Sequence, residues 1–566
     1  MSQITVQDDH VTLDYDLFEL PTAQHKAGLA GLLVMIESLR RRKIEPIPEV
    51  SVSTATVRVT FTEKSLRTVM DDLFDARWRE TLVRQKWTGQ TPKRIDEVTV
   101  ETAGKTKTEK RFVYDIVQPT GAFLQTFYAD GDGVWAALWR SMVWTILRGI
   151  PKTRTVYTER ADGKPSAETG RVWTKLRKAA QKRTKNQILT DKLTSSLLVG
   201  AEADNPERVP FVGAVEDNFL LHFWPLVALI FVPRELRVKR TEEAIQIKRD
   251  TELGYVLAIP EPADLKAFTE DVIGLLRGLN PTKSGYRPRD ARIDLFEESG
   301  LEYLHHFAKN KAERQEDFIF SLHAVELYHL QKQGNRIRQL TADRILPRPD
   351  VISDYEQVRD GLSNPFFKMI HLRNILAGTP WYTGAEAVFR TQPMPIFVRC
   401  AKTPRDARFF GRDVKHKLST IAKTIETKKG ANLMTERDHE DQLALLVHRL
   451  IRQYIRRRTE EKSGKKFKAF KDNKGENNRI NYLREYREAL EKVATDAFLA
   501  MRGRRDQDFV EYFTGTICSV PQFLPPEDYL TVANKLMDDW QTIKTLSMLA
   551  ISANSYISEP STKKEG

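Results

Sequence analysis

The chain has 566 residues, of which 40% are hydrophobic and 9% aromatic, with 28 glycines and only two cysteines, Cys400 and Cys518. That length calls for more than one hydrophobic core, and the composition excludes a disordered or collagen-like chain, a disulfide framework and a four-thiolate zinc site, pointing to a reducing cytoplasmic compartment. The net charge of +13 is concentrated: residues 171–192 hold eight basic residues against Asp191, residues 449–474 hold eleven against Glu460, Glu461 and Asp472, and the remainder is slightly acidic.

The opening MSQITVQDDHV lacks the basic-then-apolar layout of a secretory signal. In LPTAQHKAGLAGLLVMIESLRRRKI (20–44), Thr22 predicts an N-cap and Leu29, Leu32, Leu33, Ile36 and Leu39 a core stripe. Ala27, Gly28, Ala30 and Gly31 leave room there for another backbone, and Arg40 to Lys43 suit a helix C-terminus. Residues 50–61 alternate like a strand, 63–83 read as a helix with Leu66, Val69, Met70, Leu73 and Phe74 inward, and 98–117 as a hairpin turning at Ala103 and Gly104. Residues 133–154 predict a tryptophan-rich buried helix stopping at Gly149 and Pro151. The apolar run 219–232 is interrupted by His222 and Pro225 and too short to span a membrane; it and 253–260 read as buried strands, followed by a helix over 263–277. Residues 318–328 and 395–398 read as further strands.

From Lys415 onward the periodicity is helical, over 414–427, 440–458 and 479–501. A last helix starts at Glu527 after Pro525 and Pro526 and presents Leu530, Ala533, Met537, Trp540 and Ile543 to a core. The fold class expected is α+β. A large mixed α/β body with mostly antiparallel strands covers 1–412, subdivided near 160 and 290, and a C-terminal α-helical bundle covers 413–566.

Within that bundle, a helix over 440–456 places Leu443, Leu446, Val447, Leu450 and Tyr454 on one face and Arg449, Arg452 and Arg456 on the other, with no acid among them. Like charges so arranged repel, and an anionic partner relieves the repulsion. The following SGKKFKAFKDNKG interleaves Phe467 and Phe470 with lysines, which suits tracking a phosphate backbone with rings against bases. The plain alternatives are solvated charged faces and rings packed on the bundle. The candidate nucleic-acid-binding residues are Arg171, Lys175, Arg177, Lys178, Lys182, Arg183 and Lys185 in the first segment. In the second they are Arg449, Arg452, Arg456, Arg457, Lys462, Lys465, Lys466, Lys468 and Lys471, with Phe467 and Phe470 for stacking.

A search for chemistry returns little. The GKT at 104–106 has Thr99 where a phosphate-binding loop needs glycine, His305/His306 and His323/His329 miss the i, i+4 spacing of shared metal ligands, and Asp438, His439, Glu440 and Asp441 sit where a helix start explains the acids. No catalytic residue, metal or cofactor is expected. The competing classes are a metal-dependent nucleic-acid hydrolase and a scaffold for acidic protein partners.

AGLAGLL (27–33), LRGIPKTR (147–154), LLHFWPLVALIFVPR (220–234) and VELYHLQKQGN (325–335), together with the basic helical C-terminus, resemble the large subunit of type I CRISPR Cascade complexes, nearest the type I-B-related or Myxan subtype, over the whole chain. The resemblance implies a non-catalytic component that contacts the 5′ handle of crRNA, recognises PAM duplex in target double-stranded DNA, promotes R-loop formation, binds the displaced strand and recruits a helicase-nuclease. Its partners would be the backbone and small subunits of the complex, with no membrane involved. Some relatives carry a zinc-binding cysteine cluster, which two cysteines rule out here. The codons of Lys429 to Ala431 can spell a ribosome-binding site ahead of Met434, so a separate small subunit translated from Met434 is a further expectation.

Overall fold

The computed structural model describes residues 2–102, 105–201, 209–240, 245–313, 321–334, 336–359, 361–400, 403, 409–430, 435–469, 484–520 and 524–556. The expectations placed on Ala103, Gly104, Met434, Phe470 and Lys471 fall outside the described residues. The fold class is α+β: antiparallel sheets dominate the N-terminal region and helices the C-terminal part. Two compact units form, one from Met1–Arg234 and Glu252–Ile352, the other from Glu235–Thr251 and Ser353–Gly566.

The first unit opens with β1 (Gln3–Gln7) and β2 (His10–Asp16), then α1 (Ala23–Arg42). Thr22 caps α1 by accepting from the His25 N–H, and Lys43 ends it in the left-handed region with φ 56°. The small residues of α1 meet the backbone of 220–223. A Cβ on Gly28 would lie 2.2 Å from the Leu220 carbonyl oxygen, and one on Gly31 would lie 2.1 Å from that of Phe223. The expected strand 50–61 is instead a hairpin of β3 (Glu49–Val52) and β4 (Thr56–Thr62), because the Ser53 N–H bonds the Thr56 carbonyl and turns the chain. The sheet order is β1-β2-β4-β3.

The helix expected over 63–83 stops early. Thr62 and Ser65 form a capping box for α2 (Glu63–Leu73), and β5 (Ala76–Val83) then pairs along its whole length with β7 (Lys105–Pro119), so ladder pairing overrides helical periodicity. The predicted hairpin is present and longer, as β6 (Arg94–Thr102) with β7. The tryptophan-rich segment breaks into α3 (Val134–Met142), a π turn over Val143–Leu147 and a 3-10 turn over Pro151–Arg154.

Next come α4 (Ala167–Arg183) and α5 (Val215–Leu220). The apolar run 219–232 is therefore not one strand. Pro225 lacks the N–H a ladder needs and sits in a 3-10 turn, Trp224–Leu226, before β8 (Leu229–Arg240) begins. From Glu235 β8 belongs to the second unit, as does β9 (Ile245–Glu252) up to Thr251, its hydrogen-bonded neighbour; β10 (Tyr255–Pro262), in the first unit, is buried along its full length, as expected of 253–260. The helix expected over 263–277 is α6 (Leu265–Gly278), and the expected strand 318–328 runs as β11 (Leu322–Gln333). The sequence reading missed β12 (Arg336–Ile345), an edge strand exposed on most of its residues and so without apolar alternation.

In the second unit, α7 (Pro365–Ala377), α8 (Phe409–Gly430), α9 (Glu436–Ser463), α10 (Arg484–Gly503), α11 (Pro526–Asp538) and α12 (Trp540–Ser555) surround one core. Residues ahead of 413 belong to that core: the rings of Phe367 and Phe397 lie 5.6 and 4.9 Å from Phe410, and Phe389 lies 5.6 Å from Phe498. The strand expected at 395–398 is a 3-10 turn, since Pro393 and Pro395 cannot donate to a ladder. The face expected on the last helix is also corrected. Asp539 breaks it at φ −150°, ψ 72° and caps α12, so the phase of Trp540 and Ile543 does not extend backward. Val532 and Leu536 are buried instead, while Leu530 and Met537 are exposed.

Two glycine substitutions should therefore act in opposite directions. Gly31→Ala forces a side chain onto an immovable carbonyl and should cost about 1–3 kcal/mol in denaturant unfolding. Gly170→Ala, in α4 with nothing within 4 Å of the added carbon, should raise stability by about 0.5–1 kcal/mol.

Candidate nucleic-acid interface

Helical period decides which cations of the first segment reach solvent. Val172, Trp173, Leu176, Ala179 and Ala180 are buried on α4, and Arg171, Lys175, Lys178 and Lys182, spaced i, i+4, i+7, i+11, form an exposed row. Arg177 and Lys185 are exposed beside it. Arg183 is the exception: it lies at i+11 from Val172, in phase with the apolar side. There it donates to the fully buried Glu216 carboxylate at 2.6 Å and to the Ser2 carbonyl at 3.3 Å. It is a structural residue rather than part of the row. Lys175 pairs with Asp191, and Arg171 reaches Glu168 at 3.5 Å. Among the described residues Arg177, Lys178, Lys182 and Lys185 make no ion pair.

The second segment is carried by α9. Leu443, Leu446, Val447, Leu450 and Tyr454 are buried together, as their spacing predicts. Arg449 is exposed, with Asp528 4.0 Å away, and Arg452 is exposed with no ion pair among the described residues. Arg456 donates to Glu460 at 3.3 Å, and its guanidinium lies over the Phe467 ring, 4.6 Å from the centroid. That ring also approaches Tyr486 at 6.4 Å, so Phe467 packs against its own bundle. Arg457 pairs with Glu461 at 3.1 Å and Lys462 with Asp496 at 3.7 Å; Lys465, Lys466 and Lys468 are exposed and without ion pairs among the described residues.

Two groups absent from the sequence reading complete this patch. Lys415 is exposed on α8, and desolvation and then the charge of Arg452 hold its ammonium below its usual pKa. Burial, followed by Arg452, Lys415 and Arg449, pushes His448 down to about 4. Arg452 contributes to both shifts, after desolvation, so a further positive charge beside it is disfavoured. Their signal in the sequence lies in two different helices, which only packing brings together.

The acid cluster has structural work. Asp438 and Thr435 form the capping box of α9, and Lys428 donates to Asp438 at 2.7 Å; burial would raise this carboxyl, but the Lys428 and Thr435 hydrogen bonds outweigh it and hold it at about 2. Asp441 accepts the Trp381 indole N–H at 3.0 Å. The His306 ring faces Glu302 at 3.3 Å and that of His329 the Leu253 carbonyl at 2.6 Å. Of the basic end of α1, Arg42 is taken by Asp72 and Arg41 by Glu37, while Arg40 is exposed. Among the described residues no group of three or more His, Cys, Asp or Glu side chains is placed to hold a metal ion, and no helix is long and apolar enough to cross a membrane.

Two family models match the chain: the Type I-B CRISPR Cas8b N-terminal domain over residues 47–317 and the Type I-B CRISPR Cas8b C-terminal domain over residues 322–554. No curated protein matches it significantly.

The His448 environment gives a signed pH dependence. Its folded pKa of about 4 lies below the ordinary 6.5, so protonation between those values favours the unfolded chain and stability falls as pH drops through that window. Between pH 7 and 5 His448→Gln should lose about 1–2 kcal/mol less than the wild type in urea unfolding. Equal losses would contradict the assignment.

Proposed function

Because this chain belongs to the type I-B CRISPR Cas8b family, whose N- and C-terminal domain models it matches in turn, and is thus a large subunit of a type I-B CRISPR complex, we propose that it grips nucleic acid in that complex without cutting it. The observation that carries this reading is the pair of exposed cationic surfaces, Arg171–Lys175–Lys178–Lys182 on α4 and Arg449–Arg452 with Lys465, Lys466 and Lys468 on and after α9. The other faces of α4 and α9 are core, so the charges carried on these two helices project toward whatever approaches. Phosphate chains carry a regularly spaced negative charge and reward such a row by releasing counter-ions.

In this reading the α4 row and the α9 patch divide the work of a large subunit. They hold the 5′ handle of the guide RNA, admit the PAM duplex, steady the displaced strand once guide pairing begins, and leave cleavage to a recruited helicase-nuclease. Exposed pairs such as Arg171–Glu168 and Arg449–Asp528 yield readily to phosphate, because surface ion pairs are worth only about 0–1 kcal/mol. The engagement of Asp438 and Asp441 inside the bundle supports a binding role for α9 over a hydrolytic one.

Replacing Arg449 and Arg452 with alanine should weaken binding of labelled single- and double-stranded DNA across sequences. It should also reduce the log–log salt slope by about 0.7–0.9 for each phosphate that the variant no longer neutralises. An unchanged slope in a folded variant would remove the α9 patch from the interface. Incubated with labelled DNA or RNA and Mg²⁺ or Mn²⁺, the purified chain should leave both intact; cleavage that follows the protein through purification would place it among hydrolases instead.

A further inference from the structure

The α4 row borders a cavity of about 310 Å³ in the first unit. Arg171, Lys175 and Lys192 line it and are exposed, with Glu168 and Asp191 beside them. Its buried lining is different in kind: Phe74 and Phe219, 2 and 3% exposed, belong to its apolar wall, and Arg148 lies over Phe74 with its guanidinium 5.6 Å from the centroid. Asn218 and His222 also line it, and each has a buried polar atom, Oδ1 and Nδ1, with no hydrogen-bond partner among the described residues. Burial, then Arg148 and Lys175, hold His222 at a pKa of about 3, so its ring is neutral and offers hydrogen bonds rather than charge.

A ligand that satisfies this lining is planar and apolar on its faces, carries hydrogen-bonding edges, and ends in an anion. The volume is at the small end of ligand pockets and suits one such unit, not a stacked pair. We propose that the cavity receives a single unstacked nucleotide of a bound strand, its base against the apolar wall to which Phe74 and Phe219 belong with its edge toward Asn218 and His222, and its phosphate toward Arg171, Lys175 and Lys192. The inference rests on the reading of the α4 row as a nucleic-acid surface and adds the place where that row takes hold of a base. RNA and DNA strands share this chemistry, and the 2′-hydroxyl is what separates them.

The test uses the full chain and labelled twelve-nucleotide RNA and DNA single strands. Ser196 lines the cavity, and Ser196→Trp fills it without touching a cation. Base–aromatic stacking is worth about 1–3 kcal/mol per base, so the filled variant should bind at least about fivefold more weakly with an unchanged salt slope. The strand showing the larger loss identifies the occupant. Lys178→Ala/Lys182→Ala should do the reverse, flattening the slope. If the filled, folded variant keeps wild-type affinity for both strands while the lysine variant flattens the slope, the pocket assignment fails and the interface stands; if neither variant changes anything, both fail. Strands carrying 5-iodouracil provide a readout on the wild type, where the expected photo-cross-links map to peptides holding Phe74 or Phe219. Cross-links confined to other peptides at saturation would overturn the proposal.

Discussion

The cationic rows exist only because the far sides of their helices are nailed into cores. On α4 the anchor is Val172, Trp173, Leu176, Ala179 and Ala180; on α9 it is Leu443, Leu446, Val447, Leu450 and Tyr454. Burying one large apolar side chain contributes about 1.5–3 kcal/mol, while a like-charge pair at helical spacing costs only a few tenths. The burial term therefore wins several times over, and neighbouring cations stay aligned although they repel. His448 on α9 and the exposed Lys415 on α8 are both held below their ordinary pKa, first by desolvation and then by arginine neighbours. A surface in that state gains whenever an anion arrives.

The same comparison of magnitudes separates cations that hold the fold from cations that face outward. Arg183 and Glu216 form a pair with the carboxylate fully buried, and removing Arg183 leaves a charge that cannot find water. In the pairs Arg42–Asp72 and Lys428–Asp438 the carboxylate is likewise the more buried partner, at 12 and 6% exposed. The pairs of Arg171 and Arg449 are exchangeable, the two arginine side chains being about three-fifths exposed. A map drawn from charge alone overstates the interface at Arg183, and a map drawn from pairing alone understates it at Arg171 and Arg449.

Much of this was legible in the sequence, for reasons that differ by element. The bundle and the buried face of α9 follow from a single period over many turns, and the small residues of α1 announced a close backbone that turned out to be 220–223. Arg183 could have been recognised as internal, since it continues the apolar phase set by Val172 and Leu176. Other features were hidden by competing physics. Strand pairing with β7 captured 76–83 from a helix, Pro225 split an apolar run, and Asp539 reset the phase between α11 and α12. The cavity beside α4 was out of reach because Phe74, Arg148, Lys192 and Phe219 come from four separate stretches of chain.

The most direct measurement is lysine reactivity along the whole chain, free and saturated with single-stranded nucleic acid, read by mass spectrometry after brief acylation. Lys178, Lys182 and Lys185 on and after α4, and Lys465, Lys466 and Lys468 after α9, should become protected, while the exposed Lys64 and Lys266 keep their reactivity. Equal reactivity of the two groups under saturating ligand would contradict the account.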